Sequence, residues 1–126
     1  MNWTIEYIEN DHFGRIEMEG DFDPGEIPSM ANELFASDFW QPGMNVLLDH
    51  RKIDFGVTEI DTWRNLSDLH VENDAHFGGG KVAFLMKSLP DFARGRQYEL
   101  LAQAKNIASR LRIFQDETEA VQWLRE

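Results

Sequence analysis

The chain is 126 residues long, 42% hydrophobic and 12% aromatic, which fits one globular domain over residues 1–126 with a core rich in aromatic rings. Its 12 basic and 23 acidic side chains give a net charge of −11, and we expect no nucleic-acid partner because this charge repels phosphate backbones. The absence of cysteine excludes a disulfide framework and thiolate metal sites, and without a membrane-spanning run or a signal-peptide pattern we expect a cytoplasmic protein.

Two short alternating patterns open the chain. Apolar and polar side chains alternate over residues 3–7, and Ile16 and Met18 repeat the pattern, which is typical of half-buried strands. The turn-forming residues 10–12 predict a hairpin between them. A first helix follows, because Asp23-Pro24 supplies a capping side chain and a proline ahead of apolar residues at helical spacing from residue 27 to 35.

The middle of the chain predicts two buried strands around a second helix. The run from Met44 to Leu48 is apolar on both faces apart from Asn45, which suits a central strand covered by helices. Thr58 is placed to cap a second helix that carries Trp63. After a polar stretch over residues 71–80, residues 81–87 predict the next buried strand.

The last third predicts a helix, a strand and a second helix. The first helix runs from Pro90 to Ala108 with one apolar stripe, formed by Leu100, Leu101, Ala104, Ile107 and Ala108. Residues 111–114 predict a short strand, and Asp116 begins a capping box for a C-terminal helix. The predicted fold class is α/β, a single mixed, largely parallel five-stranded sheet with four helices in the order ββαβαβαβα.

Three stretches of the chain resemble the SpoIIAA-like branch of the STAS superfamily. They are Val46-Leu47-Leu48-Asp49, Lys81-Val82-Ala83-Phe84 and the run from Ile113 to Leu124, which includes Phe114-Gln115-Asp116 and Ala120-Val121-Gln122-Trp123-Leu124. The resemblance implies a mixed sheet with helices on both faces and no catalytic residue. It also implies relatives that act as regulatory switches or resemble Sec14-type lipid-binding folds.

Thr58 stands where the resemblance implies a regulatory position. In the anti-anti-sigma relatives this helix begins with Asp-Ser, and the serine is phosphorylated. This chain has Val57-Thr58 at the matching positions. We expect Thr58 to act as an N-cap, and phosphorylation stays the alternative, disfavoured by nearby Asp54, Glu59 and Asp61.

The candidate ligand-binding residues follow the parallel strands, because ligands of open α/β sheets bind outside the carboxyl ends of the strands. Arg96 lies four residues before Leu100, so we expect it to point inward and to pair with Asp49 or a strand-end carbonyl. It also matches an arginine of the family in the pattern Phe92-Ala93-Arg94-Gly95-Arg96, and anion or head-group recognition is the alternative role. Phe55, Trp63, Phe77 and Phe92 are candidates to line a cleft, with plain core packing as the alternative. The full candidate set is Asp49, Phe55, Trp63, Phe92, Arg94 and Arg96.

Other motifs point to no chemistry. Residues 78–81, Gly-Gly-Gly-Lys, lack the serine or threonine and the helix of a phosphate loop, and predict a turn. His50, His70 and His76 lack the spacing of a helical metal site and are expected to be solvated. We therefore expect no catalytic residue, no metal and no cofactor.

The sequence favours a non-catalytic regulatory or protein-interaction domain that docks through residues 58–63. The alternative is an apolar-ligand or membrane-surface protein of Sec14-like character, in which Arg94, Arg96 and Lys105 meet anionic head groups. The expected partner is a protein or a small apolar or anionic ligand, with transient contact to a membrane surface as a further prediction. Exposed edge strands favour a homodimer. The alternatives differ in one observable, because the first predicts a filled interior and the second an internal apolar cavity.

Overall fold

The computed structural model describes residues 1–126 as one five-stranded sheet with strand order β1-β2-β3-β4-β5 and with helices on both faces. Strand β1 is antiparallel to β2, and every later neighbour is parallel. The elements are β1 Asn2–Ile8, β2 Phe13–Asp21, α1 Ile27–Phe35, β3 Asn45–Asp54, α2 Ile60–Glu72, α3 Asp74–Phe77, β4 Lys81–Leu85, α4 Leu89–Gln103, β5 Arg110–Phe114 and α5 Glu117–Arg125. The predicted fold class is confirmed.

The consecutive strand order places three crossover helices on one face of the sheet. Because parallel crossovers are right-handed, α1, α2 and α4 lie on the same side, where their side chains join the larger apolar core. Helix α5 follows the last strand and covers the other side with Ala120 and Leu124 over Leu47, Ala83 and Leu85. We call these sides the three-helix face and the α5 face.

The structure has one more helix than the four predicted. Residues 71–80 were expected to form a polar connection, yet residues 74–77 form the short helix α3, which buries Phe77. Gly78 ends α3 in the left-handed region, at φ 61°. A Cβ at Gly78 would come within 2.5 Å of the Gly43 nitrogen, so this turn requires glycine.

Helix α4 buries a different stripe from the one predicted. Its buried residues are Gly95, Tyr98, Glu99 and Ala102, whereas Leu100 is 58% exposed and the helix ends at Gln103. The cause is a close approach of α4 to β5, where a Cβ at Gly95 would lie 2.9 Å from Cγ2 of Ile113. The smallest residue therefore fixes which side of α4 faces the sheet, in place of the most apolar stripe.

Side chains from the sheet hold the C-terminal turn of α5. Lys81 Nζ donates to the carbonyl oxygen of Trp123 at 2.8 Å, and Asn45 Nδ2 donates to that of Leu124 at 2.8 Å. The last carbonyls of a helix lack partners within the helix and favour a positive charge. The bond from Asn45 to the Leu124 carbonyl explains why a polar residue interrupts the apolar start of β3. At the other end of α5, Asp116 accepts from Thr118 N at 2.8 Å, so the predicted cap is confirmed.

None of the helices combines the length and the apolar composition that crossing a membrane requires.

Candidate ligand cavity

The three-helix face contains a cavity of about 100 Å³ that is partly open to solvent. Helix α2 packs closely against α4, whereas α1 makes only isolated close approaches to α2. The cavity fills the space that α1 and α2 leave above the sheet. Helix α1 contributes Ile27, Met30, Ala31, Leu34 and Phe35, and the sheet contributes Ile16, Leu48, His50, Phe84 and Met86. Of the 20 lining residues 16 are hydrophobic, which is the composition of a site for an apolar ligand.

Aromatic rings form the wall of the cavity near the carboxyl ends of the strands. Phe55 follows β3, and its ring centroid lies 4.9 Å from that of Phe22 and 5.7 Å from that of Trp63. Phe22 and Trp63 stack at 5.8 Å. The structure thus brings together the predicted residues Phe55 and Trp63 in one wall. Phe92 packs against the core without lining the cavity, whereas the predicted Phe77 does line it.

His50 is a buried polar group in the cavity wall, although it was expected to be solvated. Its Nδ1 lies 3.1 Å from the carbonyl oxygen of Leu48, and its ring lies between Phe55 and Phe84 at 5.9 and 5.5 Å. Because burial disfavours the charged imidazole, the pKa of His50 falls to about 4. The ring is therefore neutral at physiological pH.

His70 is likewise buried, where a solvated residue was expected. Its Nε2 lies 2.9 Å from Oγ of Ser109, and this hydroxyl lies 2.6 Å from Asp74 Oδ1. Burial lowers the pKa of His70 to about 4. Because the hydroxyl donates its one proton to Asp74, His70 donates to Ser109 and cannot act as its base. The three side chains tie α2, α3 and the start of β5 together, and no local motif in the sequence links them.

Tyr98 completes the polar part of the wall. Its ring lies 5.1 Å from Phe84 and 6.0 Å from His70. Burial raises the pKa of Tyr98, and no hydrogen bond contributes to the shift. Sequence analysis missed Tyr98 because it assigned a different stripe of α4 to the core.

Comparisons with known proteins identify the fold. No protein-family model matches this chain, and no curated protein matches it. A solved structure does match, that of an uncharacterized protein of the DUF3478 family, described as having a SpoIIAA-like fold, from Shewanella loihica PV-4. The TM-score is 0.59 at 18% sequence identity, and the match covers 98% of this chain and 92% of that one.

This chain has a SpoIIAA-like fold. The resemblance predicted from the sequence is confirmed at the level of the fold.

The SpoIIAA-like fold places Asp49 on the α5 face, away from the cavity. Neighbouring residues of a strand point to opposite faces, so Leu48 lines the cavity while Asp49 lies under α5. Arg15 Nη2 and Arg51 Nη2 donate to Asp49 at 2.7 and 2.8 Å, and Arg15 Nη1 also reaches Glu117 of α5 at 2.7 Å. Burial alone would raise the pKa of Asp49, but the hydrogen bonds and charge of Arg51, together with the charge of Arg15, hold it below its ordinary value.

Arg96 does not point inward, contrary to expectation. With Gly95 against β5, the next residue turns away from the sheet, and the side chain of Arg96 is 48% exposed. Its Nη1 donates to Glu99 Oε2 at 2.6 Å, so the predicted pairing with Asp49 is wrong. The SpoIIAA-like fold therefore keeps Arg96 outside the cavity.

Arg94 and Lys105 are also paired with carboxylates. Arg94 Nη1 donates to Asp91 at 2.7 Å, and Arg94 lines an open polar depression at the ends of β3 and β4. Lys105 lies 3.7 Å from Asp68. No cluster of three or more His, Asp or Glu side chains is placed to hold a metal ion.

Thr58 does not cap α2 in this SpoIIAA-like fold, so that prediction is wrong. Its hydroxyl donates to the Phe55 carbonyl at 2.7 Å, and α2 begins at Ile60 with no side-chain cap. This bond closes the turn that follows β3. Phosphorylation of Thr58 stays a prediction.

Proposed function

We propose that this protein binds a small, mostly apolar molecule in the cavity of the three-helix face and acts without catalysis. The observation that carries the proposal is the unfilled space between α1 and α2, with 16 hydrophobic residues among its 20 lining residues. Interiors of small domains are close-packed, so an apolar cavity with a few polar groups in its wall is the default hypothesis for a binding site. Of the two functions that the sequence favoured, this is the alternative.

The size of the cavity limits the ligand to a ring or a short branched chain in its buried part. An apolar cavity of about 150 Å³ in another protein binds benzene, and the cavity here is about 100 Å³. Because the cavity is partly open, a longer molecule can extend from it into solvent.

The polar groups of the wall support binding over chemistry. The hydroxyl of Ser109, which bonds to the wall residue His70 but does not itself line the cavity, donates to Asp74, and Nδ1 of His50 lies 3.1 Å from the carbonyl oxygen of Leu48. A nucleophile needs a base that accepts its proton, and neither pair has that geometry.

The surface predicted for protein docking is only partly exposed. Residues 58–63 were predicted to form the docking face, yet Trp63 is only 6% exposed and belongs to the cavity wall. Val57 and Ile60 are exposed at the start of α2. Two side chains form a small patch, and surface hydrophobic residues scattered singly are normal.

Filling the cavity tests the proposal. Ala31 on α1 lines the cavity, and Ala31→Leu should abolish saturable benzene binding measured by NMR titration while the fold is retained. Mass spectrometry of organic extracts should find less of any co-purified small molecule in this variant. Ala93→Leu is the matched control, because Ala93 is exposed on α4 and does not line the cavity. Equal benzene binding by wild type and Ala31→Leu would refute the proposed site.

A further inference from the structure

The wall of the cavity carries no charged side chain. Its 20 lining residues include no aspartate, glutamate, lysine or arginine, and the lining side chains that carry a nitrogen or oxygen atom are those of His50, His70, Asn73, Trp63 and Tyr98. A carboxylate or ammonium group buried here would lose its hydration without gaining an opposite charge, which is strongly unfavourable. The nearby cations of α4 do not change this, because Arg94 and Arg96 are not among the lining residues and are bonded to Asp91 and Glu99.

Three of these five side chains already have a partner within the chain. His50 is bonded to the Leu48 carbonyl, His70 to the Ser109 hydroxyl, and Asn73 to the Leu69 carbonyl at 3.0 Å. Burial keeps both imidazoles uncharged, with a pKa of about 4 for each, so neither attracts an anion at neutral pH.

Trp63 and Tyr98 also line the cavity, and neither side chain makes a hydrogen bond within the chain. The indole N–H of Trp63 can only donate, whereas a phenol hydroxyl can donate and accept. Tyr98 is 9% exposed, and burial raises its pKa with no hydrogen-bond contribution. Its oxygen atom is not fully enclosed by the protein, and the residue lines the cavity. The Tyr98 hydroxyl can both donate to and accept from a group that enters the cavity.

We infer that the buried part of the ligand is uncharged and carries one hydroxyl or carbonyl group that hydrogen-bonds to Tyr98. This inference rests on the proposed function and names the chemical class that the cavity accepts. It replaces the anionic head group suggested by the sequence with a neutral alcohol, phenol or carbonyl compound.

Three matched probes test the inference, namely benzene, phenol and benzoate, each titrated by NMR into wild type and Tyr98→Phe. We expect Tyr98→Phe to weaken phenol binding by about 3- to 10-fold relative to benzene binding, because only phenol loses a hydrogen bond. Benzoate should bind wild type at least about 100-fold more weakly than phenol, because the wall offers it no counter-charge. Tyr7→Phe is the control, since Tyr7, on β1, bonds to His12 and does not line the cavity.

The outcomes separate the inference from the function on which it rests. If benzene does not bind wild type, the proposed function fails and the inference with it. If benzene binds but phenol binds Tyr98→Phe as tightly as wild type, or benzoate binds as tightly as phenol, only the inference fails. Should Tyr98→Phe not fold, the comparison of phenol with benzoate in wild type still decides whether the site is neutral.

Discussion

The two faces of the sheet are closed in different ways. On the α5 face, charged side chains hold both ends of the covering helix, with Arg15 bonded to Glu117 at its start and Lys81 bonded to the Trp123 carbonyl at its end. On the three-helix face, α1 packs through apolar side chains and one hydrogen bond from Trp3 Nε1 to Glu33 at 2.7 Å, and the space beside it is unfilled and uncharged. Charge-assisted bonds close the α5 face at both ends of its helix, and incomplete apolar closure gives the other face room for a ligand.

Acid should separate the two faces with the largest effect. His50 and His70, both on the three-helix face, have a folded-state pKa of about 4, below the ordinary value of 6.5. The unfolded state therefore binds protons first, so stability is full above about pH 7 and declines as the pH falls toward 4. We expect the free energy of unfolding to fall by roughly 4 kcal/mol between neutral pH and about pH 5. The pKa of Asp49, on the α5 face, is lowered and lies below this window.

Urea unfolding across this pH range checks the expectation. His70→Gln should remove about half of the pH dependence, whereas His76→Gln, at an exposed position on α3, should retain it. An unfolding free energy that stays constant from neutral pH to pH 5 would contradict the burial of both imidazoles in neutral form.

Removing the charge at the centre of the α5 face should have the next largest effect. Asp49→Ala leaves Arg15 and Arg51 without their buried acceptor, and we expect a loss of about 3 kcal/mol in the free energy of unfolding. Benzene binding should be unchanged, because Asp49 does not line the cavity. Urea unfolding and NMR titration measure the two quantities.

An exposed ion pair is the control for this variant. Asp61 pairs with Arg64 on the surface of α2 with both side chains exposed, so Asp61→Ala should cost less than about 0.5 kcal/mol. Equal losses for the two aspartates would mean that the α5 face is not held by its buried charge.

Among the variants that test the difference between the two faces, Arg96→Ala should have the smallest effect on benzene binding and stability. The side chain lies outside the cavity and bonds to Glu99, so we expect unchanged benzene binding and a stability loss of about 1 kcal/mol from the buried Glu99. Loss of benzene binding by a folded Arg96→Ala protein would return Arg96 to the site and blur the distinction between the faces.

Local signals in the sequence predicted most of the fold, and non-local packing determined the site. The cap at Asp116 and the apolar pattern of the strands act within a few residues, and the structure confirms them. Asp23 caps a single 3-10 turn over Pro24–Glu26, whereas α1 itself begins at Ile27 with no side-chain cap. The burial of His50, the bond between His70 and Ser109 and the inward face of Tyr98 depend on contacts between distant elements.

One non-local contact explains the main error in the site. Once Gly95 meets Ile113, Tyr98 turns toward the cavity and Arg96 turns away from it. The sequence alone could not show this contact, because glycine in a helix carries no apolar signal of its own.

Because of the contact at Gly95, the two helices α4 and α1 are not equally free to move relative to the cavity. With its backbone already against Ile113, α4 has no room to move toward the sheet and forms a fixed wall of the cavity. Helix α1 is nine residues long and its backbone lies apart from α2, so α1 is the wall of the cavity with room to shift. Ligands of different size would then be accommodated by displacement of α1 alone, and the rate at which α1 moves would limit how fast a ligand enters or leaves.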